Sequence, residues 1–195
     1  MKKMFVGAAY HGLEFLPEGQ GMEEYLEDMK FAQKYAQLNR MIMMGRLAKY
    51  FGIDHFMVAN ESVESVHNFI DFEDNIIRKG AISAYKGKKL VIPFNMEDGL
   101  IIGEGKYKDG NAKWNSSAPH GAGRLMSRRK AKEQLDLASA KASMKEHGVY
   151  TTSLNKNSLD EAKGAYKDKE MILSAIEPMV HVHHFVKPIY NFKSS

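Results

Sequence analysis

The chemistry of this sequence is concentrated around His120, which stands between Pro119 and Gly121 in the run Ser117-Ala118-Pro119-His120-Gly121-Ala122-Gly123-Arg124. Glycines let a backbone approach a ligand closely, and unpaired N–H groups at a helix start attract phosphate. A histidine in that setting can act as an acid, a base or a nucleophile toward phosphorus. Arg124 and Arg128 are four residues apart. A helix running from about Arg124 to Lys145 places them on one face, where they can clamp phosphate oxygens. The same pattern also fits a plain turn histidine before a solvated helix, because glycine-rich turns commonly precede helices.

Two further histidine groups invite a metal reading. His67 and Asn68 lie in the apolar run Val66 to Ile70, where a strand puts His67, Phe69 and Asp71 on one face and offers an imidazole and a carboxylate to a divalent ion. On pattern alone a hydrogen-bonded core histidine fits that run better than a ligand does. In His181-Val182-His183-His184 the first and third imidazoles point to the same side of a strand, but two ligands do not complete a site. The expectation there is an exposed edge strand. The chain has no cysteine, so disulfides and thiolate metal sites are excluded, and any metal must be held by His, Asp or Glu.

These residues need a scaffold. The 195 residues, 44% apolar and 27% charged, suffice for a core without staples, and one domain over 1–195 is the expectation. From Met22 to Phe51 apolar residues recur at the spacing of one helix face, with no proline and an end at Gly52. A long helix follows, bent near Gly45, its methionine stripe read as core packing. Short runs at Ser65 to Phe72, Gly80 to Tyr85, Leu90 to Phe94 and Leu100 to Gly105 read as strands joined by tight turns. Tyr107 to Pro119 reads as a loop, Lys169 to Ile176 as a short helix and Val180 to Phe192 as an extended end. The fold class is α+β.

The excess of 28 basic over 24 acidic residues is too small to imply nucleic-acid binding by itself. Five of the positive charges, however, fall on Arg124, Arg128, Arg129, Lys130 and Lys132, with no acidic residue before Glu133. No apolar run approaches the roughly 18 residues of a membrane span. Lys2, Lys3 and the run Met4 to Tyr10 only imitate a signal peptide, so a cytoplasmic protein is expected.

The string from Ser117 to Arg128 closely resembles the nucleophile motif of the RtcB family of RNA-splicing ligases. Val66-His67-Asn68-Phe69-Ile70 is similar to the family's His-Asn metal and guanylate motif, at the separation from His120 seen in shorter bacterial members. Tyr25 to Met44 resembles the family's long helix, Leu159 to Lys167 its tyrosine-bearing loop, and Lys187 to Lys193 its terminal Lys-Pro-x-Tyr-Asn-Phe-Lys. The resemblance spans almost the whole chain and implies an RtcB-like mixed β-sheet core with a long helix and peripheral helices.

The resemblance also implies a reaction. RtcB enzymes use GTP and Mn²⁺ to join RNA ending in a 3′-phosphate or 2′,3′-cyclic phosphate to RNA with a 5′-hydroxyl, in tRNA splicing or RNA repair. His120 is then the guanylylated nucleophile, His67 a manganese ligand and Asn68 a guanylate contact. Gly121, Ala122 and Gly123 lie against the nucleotide, Lys193 contacts guanine, Tyr166 packs beside it, and Arg124 and Arg128 hold phosphates. Pro93, Phe94, Asn95 and Met96 occupy the guanylate loop, usually Pro-Gly-Ser-Met in the family, and Leu100 stands where a second serine is usual. Glu97 and Lys163 replace the family's more usual arginine and proline.

The family's other metal ligands, an aspartate, a cysteine and two histidines, belong to an upstream half absent from this sequence. The expectation is therefore a C-terminal ligase half, poorly active alone and completed by an N-terminal partner, with an archease-type activator as a further candidate partner. The alternatives are a noncatalytic module for RNA ends or guanine nucleotide, and an inactive truncated remnant.

Overall fold

A computed structural model describes residues 15–54, 58, 61–106 and 113–192. Lys193, the run Met4 to Tyr10 and most of the loop after Tyr107 lie outside the described residues. Where the sequence suggests one domain, the chain divides into two compact units between Ser62 and Val63.

The first unit is built on α1, Gln20–Tyr50, which runs without interruption through Gly45, where a bend is expected from the sequence. Its interior carries no proline, so every backbone N–H can join the ladder. The expected core stripe is not buried. Ala48 is the only buried side chain of α1, while Tyr35, Met43 and Leu47 are exposed. Helical periodicity shows that a face is apolar; it does not supply what covers that face.

The second unit is a set of small sheets. β1 (Asn68–Asp71) and β2 (Ile76–Lys79) form an antiparallel hairpin, and β3 (Ala81–Ser83) pairs antiparallel with β6 (Ser117–Pro119). β4 (Lys89–Asn95), β5 (Gly99–Gly105) and β8 (Val180–Val186) make a three-stranded antiparallel sheet with β5 in the middle. β7 (Tyr150–Thr151) and β9 (Tyr190–Asn191) pair in parallel. The expected edge strand at the histidine cluster is thus β8. β2 goes unread in the sequence, and β6 lies in the segment read as loop.

Alternation fixes the faces of the central sheet. Leu90, Ile92 and Phe94 are buried, while Lys89 before them and Pro93 between Ile92 and Phe94 are exposed. Pro93 is tolerated because β4 pairs with β5 alone, and the register shifts between Pro93 and Asn95. Leu90, Ile92 and Phe94 join Ile82, Ile101, Ala118, Ala122, Ile172, Ile176 and Val180 in one core. A second cluster gathers Met144, Val149, Leu154, Leu159 and Ala162.

The basic helix begins later than the sequence suggests. It is split into α2, Arg128–Gln134, and α3, Leu137–Glu146, each started by a side-chain cap. Ser127 accepts from the Lys130 amide and Asp136 from the Ser139 amide. Arg124 lies before α2, in a bridge to Tyr166, so Arg124 and Arg128 do not share a helix face. Gly123 at φ +70° turns the chain out of any helix there. α4, Lys169–Ile176, has the expected bounds and is capped by Asp168.

Candidate functional site

β3 and β6 deliver His120. Pairing of Ala81 with Pro119 puts Gly80 beside His120, and the imidazole Nδ1 lies 2.6 Å from the Gly80 carbonyl oxygen. A carbonyl only accepts, so Nδ1 carries the proton and donates it. In the neutral ring Nε2 then keeps its lone pair. The contact selects the tautomer, with Nε2 as the nitrogen free of the proton. Gly80 adopts φ +68°, and a Cβ there would lie 3.5 Å from His120 Nδ1.

His67 immediately precedes β1 and is exposed. Its ring centroid lies 4.7 Å from that of His120, with the planes tilted by 31°. The Gly80 amide donates to the His67 carbonyl at 2.8 Å, and it also reaches the Asn68 side-chain oxygen at 3.1 Å. One glycine therefore joins the two histidine segments. The spacing argument fails for Asp71, whose carboxylate binds Arg78 at 2.5 Å instead of facing a metal beside His67.

The glycine run after His120 meets β4. The Ala122 amide donates to the Pro93 carbonyl at 3.1 Å, and a Cβ on Gly121 would come within 3.0 Å of that oxygen. A side chain at position 121 would push the strand away, which explains glycine there. The remainder of the Pro93 to Leu100 segment is occupied by its own structure. Phe94 is buried in the core. Asn95 Oδ1 accepts from the amides of Glu97 and Asp98, both at 2.9 Å, and its Nδ2 donates to Asp98 at 2.7 Å. Met96 packs against the second cluster, and Leu100 pairs with Pro93 and Val186.

The two unusual residues of this segment have structural partners. Buried Glu97 accepts from the Ser143 hydroxyl at 2.7 Å, and Lys163 donates to Asp98 at 3.0 Å. Burial alone would raise the Asp98 pKa, but hydrogen bonds from Asn95 and Lys163 outweigh it and hold the carboxyl below its ordinary value.

The arginines meet carboxylates that sequence reading did not single out. Arg124 donates to the Tyr166 hydroxyl at 2.9 Å, lies 3.1 Å from the Glu161 carboxylate and stacks 4.7 Å from the Tyr166 ring centroid. Arg128 contacts buried Asp160 at 3.0 Å and Glu161 at 3.1 Å. The Tyr166 hydroxyl also donates to Glu161. Burial first, and that bond second, push the phenol up to about 12.

Among the described residues no group of three His, Cys, Asp or Glu is placed to hold a metal ion. His183 and Glu104 approach to 3.5 Å and His181 lies beside them, without completing a set. His67, the manganese ligand that the resemblance implies, belongs to no such group among the described residues. No helix among the described residues is long and apolar enough to cross a membrane.

The decisive comparison is with family models, where residues 1–194 match that of the tRNA-splicing ligase RtcB. The chain belongs to the RtcB family. It is 30% identical over 191 residues to the RNA-splicing ligase RtcB of Escherichia coli K12, covering 91% of this chain and 45% of that relative. It is 28% identical over 200 residues to the tRNA-splicing ligase RtcB of Nanoarchaeum equitans, covering 86% of this chain and 39% of the relative. For the Pyrobaculum aerophilum protein of the same name the identity is 26% over 183 residues. The chain thus spans less than half the length of these curated relatives.

Within this family member, geometry unites His67, Asn68, His120, the glycine run and Pro93, and sets Arg124 beside Tyr166. Gly80 is the residue of this cluster that sequence reading missed. Its one local signal is the glycine that closes Arg78-Lys79-Gly80 between two short apolar runs.

Proposed function

We propose that this chain supplies the guanylyl-accepting histidine of a GTP- and Mn²⁺-dependent RNA ligase. The observation that carries the reading is the His120 Nδ1 contact to the Gly80 carbonyl, which leaves Nε2 as the nucleophilic lone pair. Nε2 attacks the α-phosphorus of GTP, a P–N bond forms, and the P–O bond to pyrophosphate breaks. An oxygen of the RNA 3′-phosphate then takes the guanylate, the P–N bond breaks, and the neutral imidazole is restored. Last, the 5′-hydroxyl attacks the activated 3′-phosphate and GMP leaves. Manganese, when bound, neutralises charge on the phosphate oxygens. His67 is its one ligand from this chain.

Asn68 and the glycine run face the nucleotide in this reading, with Pro93 fixing the run from behind. Arg124 and Arg128 exchange carboxylate partners for phosphate oxygens, a like-for-like swap because both acceptors suit the guanidinium fork. In this reading the remaining metal ligands come from an N-terminal ligase half. Cytoplasmic RNA with 3′-phosphate or cyclic phosphate ends is the substrate class, and an archease-type protein is the candidate activator.

The test is incubation with α-labelled GTP and Mn²⁺, with and without a complementing upstream half. An acid-labile label should appear on His120 and vanish in His120→Ala. Its absence in both conditions refutes the reading. A second reading, RNA-end binding without catalysis, draws on the exposed Arg128, Arg129 and Lys130 of α2. It predicts salt-sensitive RNA binding, unchanged in His120→Ala, with no labelling.

A further inference from the structure

Three consecutive residues upstream of His120 hold left-handed backbone: Trp114 at φ 56°, Asn115 at 48° and Ser116 at 46°. Asparagine tolerates that region, whereas tryptophan and serine are strained in it. Such a run persists only where surrounding contacts outweigh the strain. It leads directly into β6, whose end is His120.

The contacts come from Arg78. Its guanidinium is 2% exposed and uses all five N–H donors. Nη1 donates to Asp71 at 2.5 Å and Asp74 at 3.4 Å, Nη2 to Asp74 at 2.6 Å and the Asn115 carbonyl at 3.1 Å, and Nε to the Ser117 hydroxyl at 3.0 Å. Ser117 in turn donates to the Asn115 carbonyl at 2.9 Å. Phe69 and Tyr85 flank the guanidinium, and Tyr85 donates to Asp74. The anchoring carboxylates lie on the β1–β2 hairpin and its turn, so the strained run is tied to the hairpin that starts at His67.

Arg78 also stands two residues before Gly80, whose carbonyl holds His120. The two ends of the Nδ1 contact therefore converge on one side chain. We propose that Arg78 is a positioning residue for the nucleophile: by clamping Asn115 and Ser117 it stabilises the left-handed run and holds His120 against the Gly80 carbonyl. Lysine cannot replace it, since one ammonium cannot reach two carboxylates, a carbonyl and a hydroxyl in a planar fork.

This inference rests on the reading of His120 as nucleophile, and its test separates the two. Long-range ¹H–¹⁵N spectra of the full chain, recorded where the His120 signals are those of a neutral imidazole, report which nitrogen bears the proton. Wild type should show the Nδ1–H form. Arg78→Lys should show a mixture of tautomers with the far-ultraviolet circular dichroism unchanged, and guanylylation in the completed assembly should fall about 100-fold, the scale of a misplaced reacting group. Ser117→Ala, which removes one Arg78 contact and the hydroxyl's own bond to Asn115 but leaves both ion pairs, should give a smaller shift and keeps the test open if Arg78→Lys unfolds.

The discriminating variant is Ser116→Gly, because serine is strained at φ 46° and glycine adopts left-handed backbone freely. Added to Arg78→Lys, or to Ser117→Ala if the lysine variant unfolds, it should restore much of the Nδ1–H form. A merely structural arginine would show no such rescue. A wild-type tautomer pattern in both single variants, or no rescue by Ser116→Gly, overturns the proposal. If wild-type His120 takes no guanylate at all, the functional reading fails, and the tautomer result still decides whether Arg78 positions the ring.

Discussion

Gly99 and Gly87 form a matched pair for testing how the guanylate-loop segment is held. Gly87 lies in a turn and Gly99 opens β5 directly after one, and their φ values match, +77° and +76°. Alanine at either position carries a left-handed Cβ penalty of about 1–2 kcal/mol. Their surroundings differ. A Cβ at position 87 meets nothing within 4 Å, whereas at position 99 it would lie 2.1 Å from the Val186 carbonyl oxygen and 2.9 Å from Pro188 Cδ. The oxygen belongs to the backbone of β8, next to the Leu100–Val186 pair, so relief requires β5 and β8 to part. That adds about 2 kcal/mol, in the range of overpacked sites.

Gly87→Ala should therefore cost about 1.5 kcal/mol, the conformational penalty alone. Gly99→Ala should cost about 3.5 kcal/mol once the steric clash is added. For a unit of this size the corresponding falls in melting temperature are about 6 °C and about 14 °C. Thermal melts followed by circular dichroism, with urea midpoints as a second measure, compare them directly. Two melting temperatures within about 2 °C of each other would refute the steric reasoning, because only strain would then be at work.

Two predictions concern titration. Asp98 has a lowered pKa in the folded chain, so the unfolded chain takes up its proton first as pH falls. Its stabilising share is present above the ordinary value of 3.8 and is lost as pH drops through the folded value; the melting-temperature gap between wild type and Asp98→Asn should close over that window. A gap that is constant from pH 6 to the acid limit would contradict the assignment. Tyr166, raised to about 12, should ionise later than an ordinary phenol near 10, and Tyr166→Phe should remove a late component from the alkaline absorbance titration near 295 nm.

Much of the site is legible in the sequence because it is local. The run from Ser117 to Arg128 carries its own glycines and cations, and β4 and β5 announce themselves through alternation and the Asp98-Gly99 turn. The misreadings come from non-local partners. The periodicity of α1 records an apolar face but not its exposure. The spacing of Arg124 and Arg128 suggests one helix, yet Gly123 and the Ser127 cap start α2 later, and Arg124 turns to Tyr166 instead. Asp71 has the right alternation for a metal face, and Arg78 claims it.

The whole-motif resemblance carries the family and points to His120, and alternation and helical periodicity carry the α+β class, because both are written in the local order of residues. Which nitrogen of His120 is free follows only from the packed chain, because the carbonyl that fixes the tautomer lies 40 residues away, at Gly80. The tertiary structure likewise decided that Asp160 and Glu161 face the arginines, and that one buried guanidinium joins both histidine segments. Such contacts follow from how β1, β2, β3 and β6 pair, and strand pairing between distant segments is set by the packed whole, which no local propensity encodes.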